Sequence, residues 1–138
     1  MPVPLIRVCD CEPERRNRLY IAQAALVETV ATICRKAREQ SILDEERDAL
    51  IEKFRQDSQN IYAILPVTTV IYTSAGNLCR SHRLRAYDAV QLACALAVRD
   101  ESVTSKEPSP IFVCADNNLL AIATVEGLTT ENPNNYTF

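Results

Sequence analysis

Apolar and polar positions follow two different periods along this chain, and each change of period marks a change of element. Arg18-Leu19-Tyr20-Ile21 is a short extended stretch; the residues after it are rich in Ala, Leu and Val and close on Arg35-Lys36-Ala37-Arg38. That pattern predicts a strand and then a helix whose last turn carries cations, where they complement the helix macrodipole. Ser41-Ile42-Leu43-Asp44 offers an N-cap serine with an acid three positions on, and Asp44-Glu45-Glu46 adds negative charge to a first turn. A second helix is expected there, with Leu50, Phe54 and Ile61 on one stripe and Glu52, Lys53, Arg55 and Gln56 on the solvated side. Ile64-Leu65-Pro66-Val67 reads as a short strand, and Thr68 or Thr69 can cap a third helix carrying Val70, Ile71, Leu78 and Cys79.

Arg85 to Arg99 predicts a fourth helix, apolar nearly all round and therefore buried. Asp100 to Pro110 has two prolines and no period, so a loop is expected. Ile111-Phe112-Val113-Cys114 reads as a buried strand, Leu119 to Val125 as a helix, Gly127 as the residue that ends it, and Leu128-Thr129-Thr130 as a last short strand. Alternation of strand and helix implies an α/β fold with a parallel sheet covered by helices. With two glycines, no linker and no internal repeat, residues 1–138 are expected to form a single domain.

Charge and cysteine usage narrow the function classes. The net charge of -3 and pI of about 5.2 argue against a generic nucleic-acid coat, so any RNA contact must come from local patches. No apolar run approaches the roughly 20 residues a bilayer span needs, and the start, Met1-Pro2-Val3-Pro4-Leu5-Ile6-Arg7, has no signal-peptide core. Without such a run no membrane partner is expected, and Cys34, Cys79, Cys94 and Cys114 lie in apolar segments where reduced thiols pack as small hydrophobes, which points to the cytoplasm. Cys9 and Cys11 have no second pair and only His82 elsewhere, too few ligands for structural zinc.

Carboxylates in apolar settings are the most informative residues. Glu28 has Ala24, Ala25, Ala31 and Thr32 as its helical neighbours, and Asp88 is the sole charged side chain between Arg85 and Arg99. Asp116 follows an apolar strand, the place where open α/β sheets bind ligands. Each has a bland alternative: an arginine partner for Glu28, a helix N-terminal role for Asp88, an N-cap for Asp116. Together they could hold a hard divalent cation, which prefers oxygen ligands and would keep clustered carboxylates ionised.

The stretches Asn17 to Gln23 leading to Val27-Glu28, Leu84 to Ala93, and Phe112 to Asp116 resemble the PIN-domain family, in particular its VapC-like toxin class. Tyr87 to Ala93, with its Tyr-Asp-Ala-x-x-x-Ala pattern, is the most specific piece. The resemblance implies a three-layer α/β fold and a metal-dependent endoribonuclease of the toxin–antitoxin type, using Mg²⁺ or Mn²⁺ and neutralised by an antitoxin. Carried over, Glu28, Asp88 and Asp116 match three of the family's metal-holding acids. Family members begin with a strand ending in aspartate and a first helix, and the expectation is that this chain lacks both. A rival alignment makes Leu5-Ile6-Arg7-Val8-Cys9 a substitute strand with Asp10 as the fourth ligand. Cys114 departs from the Ser or Thr often found two positions before the last aspartate.

Loss of a central strand would leave unpaired edges, so a homo-oligomer, strand exchange or low stability is expected. Arg80, Arg83 and Arg85 with His82, and Arg35, Lys36 and Arg38, are candidates for steering RNA phosphate, although a plain solvated surface explains them equally. No interleaved aromatics point to base stacking. Two readings compete: an active ribonuclease, and a catalytically inactive module that retains antitoxin binding. A small-molecule domain is weaker because no glycine-rich phosphate loop exists.

Overall fold

The structure is a computed structural model that describes residues 5–8 and 18–136. Its described strands are β1 (Leu5–Val8), β2 (Arg18–Ala22), β3 (Tyr62–Leu65), β4 (Ile111–Val113) and β5 (Thr129–Glu131), joined in one sheet of order β3-β2-β1-β4-β5. The helices are α1 (Ala25–Arg38), α2 (Asp44–Asn60), α3 (Thr69–Ser81), α4 (Ala86–Ser105) and α5 (Asn117–Val125). This is a mixed helix-and-strand architecture of the α/β class, as the alternating pattern predicts.

The sheet is not wholly parallel. β2 pairs parallel with β3 and β4 with β5, whereas β1 runs antiparallel to both β2 and β4. The expected gap at the centre is therefore corrected: Leu5–Val8 pairs on both sides, and Ile6 is 2% exposed between Tyr20 and Phe112. With the central edges hydrogen-bonded, the reason for expecting a second copy to cover them disappears.

Strand direction decides what β1 can contribute. Leu5 lies opposite Val113, at the edge where β2 and β4 end, while Val8 lies opposite Arg18, at the other edge. Asp10 lies outside the described residues, as do Cys9 and Cys11; Val8, two positions before Asp10, stands at the edge away from Asp116. The substitute strand of the rival alignment thus exists, but reversed relative to its neighbours.

Helix α4 forms the middle of the core because its small residues allow close approach. Ala89, Leu92, Ala93 and Ala95 are at most 2% exposed, and the helix packs on α3 and against β2. Opposite them Phe112 is 1% exposed; burying such a side chain contributes about 1.5–3 kcal/mol. The helix runs on to Ser105, so the loop expected from Asp100 begins at Lys106, whose φ of 54° ends the helix in the left-handed region. In that last stretch the hydroxyls of Ser102 and Thr104 are satisfied within the helix, Ser102 Oγ donating to Arg99 O and Thr104 Oγ1 to Asp100 O.

Smaller differences have local causes. The N-cap of α2 is Leu43 and not Ser41, because Glu46 reaches back to accept from the Leu43 N–H at 2.7 Å. No residue of α2 is buried, and Leu50 and Ile61 of the expected stripe are exposed. Strand β3 starts at Tyr62 and stops before Pro66, which has no N–H for the ladder. Thr68 caps α3 by accepting from the Ile71 N–H. Cys94 and Cys114 are buried as expected, but Cys79 is exposed and Cys34 half-buried; all four are free thiols.

Candidate active site

β2, β3, β4 and β5 all end at one edge of the sheet. The chain leaves β2 toward β3 on one side and β4 toward β5 on the other, so the edge between β2 and β4 is a topological switch point. A cleft of about 490 Å³ opens there, and Glu28, Asp88 and Asp116 all line it. Glu28 is in the first turn of α1 just after β2, Asp88 in the first turn of α4, and Asp116 after β4. Three separate elements bring the three residues onto one surface.

Asp116 does two things. Its Oδ1 accepts from the Asn118 N–H at 2.9 Å and the Leu119 N–H at 3.2 Å, which makes it the N-cap of α5. These bonds fix the carboxylate and occupy one oxygen only, so Oδ2 is left for the cleft. Its backbone N–H donates to Cys114 Sγ at 3.3 Å. The buried Cys114 sulfur therefore takes the acceptor role a Ser or Thr hydroxyl could fill at that position.

Asp88 has no such partner. Its carboxylate makes no hydrogen bond or ion pair among the described residues. Burial pushes its pKa up, the Asp116 carboxylate pushes it further, and Arg85 pulls it down. The Glu28 pKa is also raised, first by burial and then by Asp88, against the opposing effects of the Gln91 hydrogen bond and Arg85. Burial raises the Cys114 thiol, the hydrogen bond from the Asp116 N–H opposes that rise, and the charges of Asp116, Asp88 and Glu28 add to it, so this sulfur senses all three. Glu28 is bonded by Gln91 and not by an arginine, Asp88 stands in the first turn of α4 but caps no N–H there, and the cap reading holds for one oxygen of Asp116.

Glu28 accepts a hydrogen bond from Gln91 Nε2, a contact that sequence reasoning missed. Gln91 is 2% exposed, in an otherwise apolar run of α4. A polar residue one turn after Asp88 in that run was the available signal. Tyr87 was also missed: its ring lines the cleft and is exposed, so one aromatic does stand beside the carboxylates. Arg35 and Arg85 line the same cleft, and neither guanidinium makes an ion pair or hydrogen bond among the described residues. His82 instead pairs with Glu126 at 2.5 Å, away from the cleft.

The donor chemistry fits a hard divalent cation, since the cleft offers carboxylate oxygens and no thiolate or imidazole cluster. Among the described residues no three His, Cys, Asp or Glu side chains are arranged as a ready coordination group. The three carboxylates line one space without closing on one point.

The profile of the PIN domain matches residues 11–107 of the chain, more than half of its length. The match takes in Glu28, Asp88 and Gln91 and ends before Asp116. No curated protein and no solved structure matches.

Proposed function

The chain belongs to the PIN-domain family, and we propose that it is a metal-dependent endoribonuclease in which Glu28, Asp88 and Asp116 hold Mg²⁺ or Mn²⁺. The observation that carries this reading is the half-buried Asp88 carboxylate, without a partner of its own, in a cleft shared with two other acids. Burial and the neighbouring Asp116 disfavour its ionised form, so an ionised Asp88 calls for a counter-charge. A divalent cation there would activate water for attack on phosphorus and offset charge on the scissile phosphate and leaving oxygen.

The protein's own groups would do the positioning. Asp116 keeps a fixed rotamer through its capping bonds, so its second oxygen is presented without further loss of side-chain freedom. Glu28 is tied from α4 by Gln91. Arg85 is close enough to act on both Glu28 and Asp88 and would draw a phosphate toward them. Arg35, two helical turns beyond Glu28 or roughly 10 Å along α1, would take a flanking phosphate. Tyr87 offers a face on which an RNA base can stack.

The Tyr87 to Ala93 resemblance extends the reading to a toxin of the VapC-like class, held in check by an antitoxin. A second reading, an inactive module that keeps antitoxin binding, is favoured by one observation: the central strand meets the active edge at Leu5 and brings no acid there. RNA cleavage with Mg²⁺ or Mn²⁺ by the full chain and by Asp88→Asn separates the two. Activity in the parent that falls at least about 100-fold in the variant supports the enzyme. Equal activity in both refutes Asp88 as a ligand, and no cleavage by a metal-loaded parent supports the inactive module.

A further inference from the structure

The two buried side-chain atoms without a hydrogen-bond partner among the described residues are Thr29 Oγ1 and Gln91 Oε1, and both border Glu28. Thr29 follows it in α1, and Gln91 donates to it from α4. An unsatisfied buried amide oxygen is costly, and an apolar side chain of the same shape avoids that cost. Gln91 sits between Val90 and Leu92, 7% and 0% exposed, where an apolar residue would pack. Its amide makes one bond, and that bond ends on Oε2 of Glu28.

From this we infer that Gln91 is a positioning residue: its Nε2 holds Glu28 Oε2 so that the remaining carboxylate oxygen is fixed for a divalent cation. The inference rests on the metal-binding reading above. Glu28 is otherwise a long side chain free to turn about several bonds, and one donor from a rigid buried helix removes much of that freedom. A purely structural tie between α1 and α4 makes a different forecast, because removing such a tie lowers stability whether or not metal is present.

The test uses the full chain and Mn²⁺, with free ion followed by electron paramagnetic resonance and stability by thermal unfolding without metal. Gln91→Met keeps the length and removes both polar atoms, so the melting temperature is expected to stay within about 3 °C of the parent or to rise. Mn²⁺ affinity is expected to fall about 10-fold, the lower end of the usual effect for a group that orients a ligand. In a Glu28→Ala background the same substitution should change affinity no further, since the two residues act as one unit. Gln91→Leu is measured alongside. Loss of folding in both variants, unchanged Mn²⁺ affinity in a folded one, or additive losses with Glu28→Ala overturns the inference. A parent that binds no Mn²⁺ overturns the metal reading itself, a separate and recognisable failure.

Discussion

Replacing Asp88 by asparagine should stabilise the metal-free protein and erase its response to divalent cations. Asp88 is half-buried, unpaired and raised in pKa by burial and by Asp116, so its ionised form is a net cost at neutral pH despite its place at a helix N-terminus. Asparagine keeps the shape and removes the charge. Allowing for solvent screening in an open cleft, relief of about 1 kcal/mol is expected. At about 2.1 cal/mol/K per residue, unfolding 138 residues carries about 0.29 kcal/mol/K, so 1 kcal/mol moves the melting temperature by about 3 °C. Metal acts the other way: at 100 times its dissociation constant, a cation bound only to the folded parent adds about 2.7 kcal/mol, or about 9 °C. Thermal unfolding of both proteins with EDTA and with Mn²⁺ should give curves that change order, the variant higher in EDTA and the parent higher in Mn²⁺. A variant less stable in EDTA, or an equal Mn²⁺ shift in both, refutes the reasoning.

Asp116 separates capping from ligation: Asp116→Ala should lose about 1 kcal/mol of stability, read by urea unfolding, whereas Asp116→Asn keeps the cap and stability yet loses metal affinity. The pH dependence has a definite sign. Glu28 and Asp88 both have raised pKa values in the folded state, so the stability they contribute is complete below the ordinary carboxylate range and is lost as pH rises through the raised values. The metal-free melting temperature of the parent minus that of Asp88→Asn should therefore fall as pH rises through that window, and a rising difference would contradict the assignment. Arg35→Ala and Arg85→Ala should each weaken RNA binding and reduce the slope of log affinity against log salt by about 0.7, as measured by fluorescence anisotropy of a labelled single strand. Slopes equal to the parent's would remove both residues from the phosphate track.

The local elements were legible because their signals are local. The strand at Arg18, the cap at Thr68, the capping aspartate before α5 and the turn at Gly127 each follow from a few adjacent residues. The three carboxylates stood out because each interrupts an apolar pattern, and all three line one cleft. The role of Leu5–Val8 was not legible in the same way. Four residues of apolar-rich chain specify a strand, but its direction is set by ladder pairing with β2 and β4, a contact over more than a hundred positions in the second case. The far end of α4 is not legible because its polar residues read as loop, although the hydroxyls of Ser102 and Thr104 find acceptors in the helix's own carbonyls. Gln91 is not legible in the sequence because its role depends on Glu28, 63 positions away.

The central claim is that Glu28, Asp88 and Asp116 meet on a single divalent cation at the edge where β2 and β4 end. An anomalous difference map from crystals of the full chain grown with Mn²⁺ tests it most directly. The expected result is a peak in the cleft within coordination distance of oxygens from all three carboxylates. A cleft with no peak, with Arg85 folded onto Asp88 in its place, would contradict it.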